Sequence, residues 1–188
     1  MTRKCGNYML ARELLSRYLQ DKPFDIVVEH SRHVADLALE VADRLTLPEN
    51  DRAFIEEAAM LHDIGVCQVN APDLGLYGSK PYIMHGVVGR EILEAEGYPL
   101  HALVCERHTG VGLTCEEISR QGLPLPHREM CPVSLCEQII CFADLFYSKN
   151  PGRLGERKSV ARVRKKMLHF GEDKVQILDT WLKKFYWK

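Results

Sequence analysis

No apolar run in the 188 residues approaches the length of a membrane-spanning helix, so none is expected. Neither sign of charge dominates. The 25 Lys and Arg stand against 26 Asp and Glu, and a formal charge of -1 gives no overall pull toward nucleic acid or an anionic membrane. The seven cysteines, at 5, 67, 105, 115, 131, 136 and 141, are odd in number and include no C-x-x-C pair. That excludes a zinc knuckle and a disulfide framework and fits reduced thiols in a cytoplasmic protein. The opening "MTRKCGNYMLARELLSRYLQ" is charged throughout and reads as no signal peptide, in line with a cytoplasmic location. No stretch alternates with period two over strand length, and there is no internal repeat and no low-complexity segment.

What the chain does have is helical periodicity. Val34, Leu37, Ala38, Val41 and Leu45 mark one face of a helix over about 24–47, followed by Pro48. "ENDRAFIEEAAMLHDIG" reads as the next helix, with Asn50 as N-cap, Phe54, Ile55, Ala58 and Leu61 inward, and Gly65 as C-cap. "CQVNAPDLGLYGSKP" is rich in Gly, Pro and Asn and reads as a long surface loop, the natural lid or wall of a pocket. Further helices are expected near 83–96, 100–107, 114–121 and 134–148. A last amphipathic one runs from about 157 to the C-terminus, broken at Gly171. The expected fold is all-α: a compact helical bundle forming one domain over 1–188, with a core motif region 24–150 and a C-terminal helix region 151–188.

Helical phase sorts the eight histidines. His30 heads the apolar stripe of Val34, Leu37, Ala38 and Val41, whereas His33 lines up with Asp36, Glu40 and Asp43 on the solvated face. His62 continues the row of Ile55, Ala58 and Ala59; His85 sits below Val88, Gly89 and Ile92; His108 extends the row of Val104 and Cys105. Asp144 lies above Ile140 and Cys141 on an otherwise apolar face, and Asp63 adjoins His62. Buried ionisable groups are costly unless paired or bound to a metal. Singly, each inward histidine or aspartate reads as a hydrogen-bonded core residue. Together, six such groups on five segments are explained if they converge on cations. Six protein ligands would close the coordination sphere of one octahedral ion and leave no open position. Either about four bind one metal, or all six serve two metals that share a bridge, for which the adjacent His62 and Asp63 are suited. Imidazole and carboxylate without thiolate favour Fe, Mn or Zn.

The strings "HSRHVADLA", "AAMLHDIG", "MHGVVGREIL", "CERHTGVGL" and "ICFADLF" resemble the HD-domain metal-dependent phosphohydrolase superfamily, in particular its HDIG subgroup and its small stand-alone members. The resemblance runs from His30 to Asp144. It implies a helical HD fold in which His30, His62, Asp63 and Asp144 form the core metal set, with His85 and His108 as the extra histidines of two-metal members. It also implies hydrolysis of a phosphate ester, with His62 and Asp63 at the catalytic centre and Asp63 bridging two divalent ions. Two departures stand out. Val66 follows HDIG where many members carry Lys, and Leu113-Thr114 replace the Tyr-Pro of the branch that cleaves cyclic di-GMP. The superfamily also contains di-iron oxygenases with the same ordered ligands, and a non-catalytic, metal-stabilised regulatory module is a third reading.

Lys149, one helical turn beyond Asp144, Lys80 in the long loop and Arg107 beside His108 are the cations placed to hold a substrate phosphate; each also has a reading as solvated charge. The basic stretch "RLGERKSVARVRKK" carries an apolar face of Leu154, Val160, Val163 and Met167 and no interleaved aromatics. It reads as a solvated helix face that adds positive potential near an anionic pocket, with no specific nucleic-acid binding. In "VQILDTWLKKFYW" Val175, Leu178, Trp181, Leu182 and Phe185 are core positions, while Tyr186 and Trp187 raise a homodimer contact through the C-terminal helix. Cys105 and Cys141 read as core fillers, and His101, His127 and His169 as surface or structural residues. The expected partner is a small phosphorylated or nucleotide-like molecule.

Overall fold

The structure, a computed structural model, describes residues 4–186, with side chains from residue 8 onward. Nine α-helices among the described residues account for nearly all regular structure: α1 Lys4–Tyr18, α2 Asp21–Arg44, α3 Glu49–Leu61, α4 His85–Ala95, α5 Pro99–Arg107, α6 Cys115–Arg120, α7 Leu135–Asp144, α8 Val160–Leu168 and α9 Glu172–Phe185. The all-α expectation holds. α1 is an addition, since its charged and polar residues blur the stripe that buries Ala11, Leu14, Leu15 and Leu19.

Several helix boundaries have a local cause. α3 starts directly after Pro48, whose φ of -57 opens the helix without any side-chain cap, so Asn50 lies inside the first turn instead of capping it. α6 and α7 begin with reciprocal capping boxes, Thr114 with Glu117 and Ser134 with Glu137. Gly171, at φ 143, separates α8 from α9, and Ser159 caps α8. Asp144 ends α7 earlier than the periodicity predicts.

Gly65 plays a part different from the expected C-cap. The chain passes His62 and Asp63 into a 3-10 turn, Ile64–Gln68, and Gly65 has no positive φ. A Cβ there would lie 2.1 Å from the His85 carbonyl oxygen and 2.3 Å from the Gly89 nitrogen. The residue is glycine because the turn lies directly against the start of α4. The long loop is also more ordered than a plain surface connection. It forms a two-stranded antiparallel sheet, β1 Asn70–Ala71 with β2 Leu76–Tyr77, in which Asn70 pairs with Tyr77 and Ala71 with Leu76.

The core is one large apolar cluster, with a smaller separate one of Val87, Ile118, Leu125 and Met130. α2 packs on α3 and α7, and α4 packs on α5 and the 3-10 turn. Val34, Ala38, Ile55, Ala58, Ile140 and Phe142 are fully buried at its centre. α9 closes the bundle with Val175, Leu178, Trp181 and Phe185 buried and Leu182 partly so. Tyr186 stacks on Phe146 with ring centroids 6.2 Å apart, so this aromatic is engaged within the chain. Trp187 lies outside the described residues. No helix of the described residues is long and apolar enough to cross a membrane.

Candidate metal centre

Five of the six inward groups stand at or near helix ends: His62 caps the C-terminus of α3 with Asp63 next, His85 opens α4, His108 caps α5, and Asp144 is the last residue of α7. His30 projects from the middle of α2. Helix ends leave side chains free of the neighbouring turn, and the apolar stripes behind them fix where they point. His30, His62, Asp63, His85 and His108 are buried, and Asp144 is 18% exposed at its side chain.

The six groups meet. His30 Nε2 lies 3.0 Å from Asp144 Oδ1 and 3.3 Å from Asp63 Oδ2. His62 Nε2 lies 2.9 Å from Asp63 Oδ2 and 3.6 Å from Asp144 Oδ1. The other Asp63 oxygen, Oδ1, is 3.5 Å from His108 Nε2 and 3.7 Å from His85 Nε2. Asp63 thus divides its two oxygens between two groups of histidines. Two subsets have ligand atoms all within 4.8 Å of one another: His30, His62 and Asp144, and His62, Asp63 and His108.

The tautomers follow from the backbone. The Nδ1 of His62 faces the Ala59 carbonyl at 2.6 Å, that of His85 the Tyr82 carbonyl at 2.7 Å, and that of His108 the Cys105 carbonyl at 2.7 Å. A carbonyl only accepts, so each Nδ1 donates and each Nε2 of a neutral ring turns a lone pair into the site. His85 Nε2 and His108 Nε2 face each other at 3.0 Å. Burial and the neighbouring His108 push the His85 pKa down to about 3, so a proton on His85 does not relieve that opposition. His30 Nδ1 and Nε2, His62 Nε2 and both Asp63 oxygens are buried without hydrogen-bond geometry to any partner. Orphaned imidazole and carboxylate atoms with fixed backbone anchors are what a divalent transition ion requires, and the residues present fit one.

Electrostatics point the same way. Burial works against the ionised form of Asp63, yet His62 and Lys149 outweigh it and hold its pKa well below the usual carboxylate range; Asp144 is depressed likewise by His30 and His62. Burial also opposes the charged form of His62, but Asp63 and Asp144 raise its pKa to about 10. Without an ion its Nε2 therefore carries a proton in the place of the cation, and the lone pair is freed only when a metal displaces that proton. The carboxylates concentrate negative potential where positive charge is to sit.

Of the three proposed phosphate contacts, Lys149 alone reaches this place. Its Nζ is 2.7 Å from Asp63 Oδ2, and the carboxylates overcome the burial penalty to hold it charged. Arg107 is engaged elsewhere, its guanidinium 3.0 Å from Glu137. Lys80 joins the 3-10 turn through its backbone and does not line the cavity that opens over the centre. That cavity, about 510 Å³, is bordered by His30, His85, His108, Asp144 and Lys149, and by two lysines that sequence reasoning did not single out individually, Lys158 and Lys166. Lys158 Nζ donates to the Leu145 carbonyl at 3.1 Å and to the Tyr147 carbonyl. Helical phase is the available signal for Lys166, since α8 buries Val163 and Met167 and leaves Lys166 toward the cavity, whereas Lys158 precedes α8 and no helical phase marks it.

The other histidines have ordinary partners. His33 is half-buried, 3.0 Å from Glu29 and stacked on Tyr147, and His101 is 3.1 Å from Glu57; His127 and His169 are exposed. Cys105 and Cys141 are buried fillers whose thiols face the Leu61 and Arg107 carbonyls, with burial raising both pKa values.

A helical bundle whose helix ends deliver an ordered His, His-Asp, His, His, Asp set to one buried centre defines a class, and the comparisons agree with it. The chain belongs to the HD domain family, whose model matches residues 27–147. Among its relatives is an uncharacterized protein of Methanocaldococcus jannaschii, 36% identical over 121 residues, or 63% of this chain and 64% of that one. Two others are named tRNA (cytidine(56)-2'-O)-methyltransferase. The one from Picrophilus torridus is 31% identical over 64% of this chain, and the one from Thermoplasma volcanium 30% identical over 84%. The chain spans only 31% and 42% of those two relatives' length, so the activity in their name belongs to the longer proteins. Among solved structures, the HD domain of the L. monocytogenes phosphodiesterase PgpH superposes with a TM-score of 0.54 at 15% identity, covering 93% of this chain and 87% of that one. The same domain in complex with cyclic-di-AMP gives 0.54 at 16%, covering 93% and 86%. At that identity the likeness is one of fold.

Proposed function

We propose that the protein is a metal-dependent phosphohydrolase acting on a small phosphate ester. One observation carries this reading: Nε2 lone pairs anchored from behind by backbone carbonyls converge on a divided Asp63 carboxylate, at the floor of a lysine-lined cavity. In this reading His30, His62, Asp63 and Asp144 hold one divalent ion, and Asp63 with His85 and His108 holds a second. Bound there, such ions supply Lewis acidity toward a phosphoryl oxygen and a water of lowered pKa. The chain's own residues do the rest. The three carbonyl anchors hold the imidazoles in their binding tautomer. Lys149 is placed to neutralise charge on a phosphoryl oxygen. Lys158, whose pKa burial lowers to about 8, is still largely charged at neutral pH and lies along the same wall. The metal is expected to be Fe, Mn or Zn. The PgpH domain's complex with cyclic-di-AMP adds support for a phosphorylated substrate, without naming this one.

The same ligands would serve an oxygenase or a regulatory module. The lysine-lined cavity favours hydrolysis over both, because three cations beside an open metal site suit a phosphate, and a scaffold needs no access. The test is elemental analysis of the protein as purified, followed by a phosphate-ester panel with the metals found. Up to two ions per chain, and turnover that survives replacement of Fe by Mn, are expected. Activity that depends on Fe and consumes oxygen would replace the reading with the oxygenase. Protein that binds metal yet turns over no phosphate ester would replace it with the module.

A further inference from the structure

The six ligands are not held alike. His62, His85 and His108 are anchored from behind by backbone carbonyls. The Asp144 carboxylate instead meets His30 at 3.0 Å and His62 at 3.6 Å, both of them ligands themselves. Its side chain is also the most exposed of the six. The place of Asp144 therefore depends on the backbone at the end of α7, where the helix stops and carbonyls lose their intrahelical donors.

One residue closes that end. The chain leaves α7 through Leu145, Phe146 and Tyr147, whose amides bond back to the carbonyls of Cys141, Ala143 and Asp144. The carbonyls of these same three residues all accept from Lys158. Its backbone N–H reaches Phe146 at 2.8 Å, and its Nζ reaches Leu145 at 3.1 Å and also Tyr147. Lys158 thus clasps the base of a loop whose residues 148–151 include Lys149 and border the metal cavity. The same loop rests on α2, the helix that carries His30. Tyr147 stacks on His33 with ring centroids 5.3 Å apart, and a Cβ on Gly155 would lie 2.7 Å from His33 Nε2. Lys158 is half-buried, and burial, aided by Lys166 and Lys149, outweighs Asp144 and lowers its pKa to about 8. Hydrogen bonds to carbonyls beside a helix C-terminus offset the cost of keeping a cation there.

On the two-ion reading above, on which this inference rests, we propose that Lys158 is a positioning residue. By clasping the turn after α7 it fixes Asp144 on the ion shared with His30, His62 and Asp63. Its charge is felt in the cavity, but its hydrogen bonds go to the backbone and not to a substrate. A phosphate contact would predict the opposite for metal binding. A positive charge beside a cation site repels the ion, so removing that charge alone tightens binding or leaves it unaffected. Removing a clasp lets the ligand stray and weakens the ion.

Isothermal titration calorimetry of Mn into the metal-free chain reads that sign directly. Wild type is expected to take up two ions. Lys158→Met keeps the apolar stem and loses the ammonium. One ion should then bind about 10- to 100-fold more weakly, the usual cost of losing a group that orients a ligand. The ion held by His85 and His108 should be unchanged. Lys149→Met, which removes a cavity charge and no clasp, should weaken neither ion. Unchanged or tighter binding of both ions in Lys158→Met would overturn the clasp. Equal weakening of both would overturn it too, since that marks a general loosening of the fold. A wild-type measurement decides the matter even if Lys158→Met fails to fold. In NMR spectra taken in mildly acidic solution, the Lys158 ammonium protons should exchange slowly enough to be seen, unlike those of solvated lysines. A fast-exchanging ammonium would overturn the assignment. Wild type that takes up fewer than two ions would remove the two-ion reading itself, and the inference with it.

Discussion

At the scale of single residues, the site works by dividing one carboxylate. Asp63 Oδ2 serves His30, His62 and Lys149, while Oδ1 serves His85 and His108. His62→Ala or Asp63→Ala should therefore empty both metal positions, whereas His85→Ala or His108→Ala should lose one ion and leave a folded protein. Metal content by mass spectrometry of the four variants checks this, and equal loss in all four would refute the division. Lys149→Met should leave metal content unchanged and lower kcat/KM on the order of 100-fold, the usual effect of losing one preorganised charge contact. Much of this was legible beforehand, because helical phase separates residues that face a core from those that face water. His30, His62, His85 and His108 continue apolar rows and are buried, while His33 follows a row of acids and pairs with Glu29. What phase cannot tell is which distant partner claims a cation. Arg107 adjoins His108 in sequence, yet it pairs with Glu137, thirty positions away.

At the scale of elements, the centre depends on how closely the 3-10 turn after α3 approaches α4. Gly65→Ala would place a methyl within 2.1 Å of backbone and force the turn away from His85. Backbone cannot give way as a flexible side chain would, so about 3 kcal/mol of destabilisation is expected, a fall in Tm of roughly 10 °C. Calorimetric unfolding measures it, and an unchanged Tm would show that the turn has slack. Helical periodicity places this glycine at a helix end, but periodicity carries no information on the distant backbone that demands it. The start of α7 offers a pH test. Glu137 is pushed up by burial, yet Arg107 and the amides of Ser134 and Val133 outweigh this and depress its pKa. A carboxylate with a folded pKa below the unfolded value stabilises above that value, about 4.3 for Glu, and loses the contribution as pH falls through the folded value. Glu137→Gln should therefore be less stable than wild type near neutrality, with the difference shrinking below about pH 4. A difference that stays constant down to about pH 2 would place the contribution in packing, not in charge.

At the scale of the whole molecule, a formal charge of -1 conceals a strong local asymmetry. Acidic ligands occupy the buried floor of the cavity, and Lys149, Lys158 and Lys166 occupy its walls, so the net figure says little about what enters. The bundle itself does not depend on metal for its core, since the central apolar residues of α2, α3 and α7 pack on each other. Bound ions would nevertheless join α2, α3, α4, α5 and α7 through their ligands, and would give partners to the orphaned atoms of His30, His62 and Asp63. An ion that binds only the folded chain stabilises it by mass action, about 2.7 kcal/mol for each site at a free concentration of one hundred times Kd. Stripping the protein with a chelator should leave its helical circular dichroism intact and lower Tm by roughly 10–20 °C if two sites are lost. Added Mn should restore it, and His85→Ala, with one ion fewer, should show about half the shift. Identical melting curves with and without excess metal, in a protein whose ligands are intact, would mean that the convergent histidines and aspartates do not hold an ion at all.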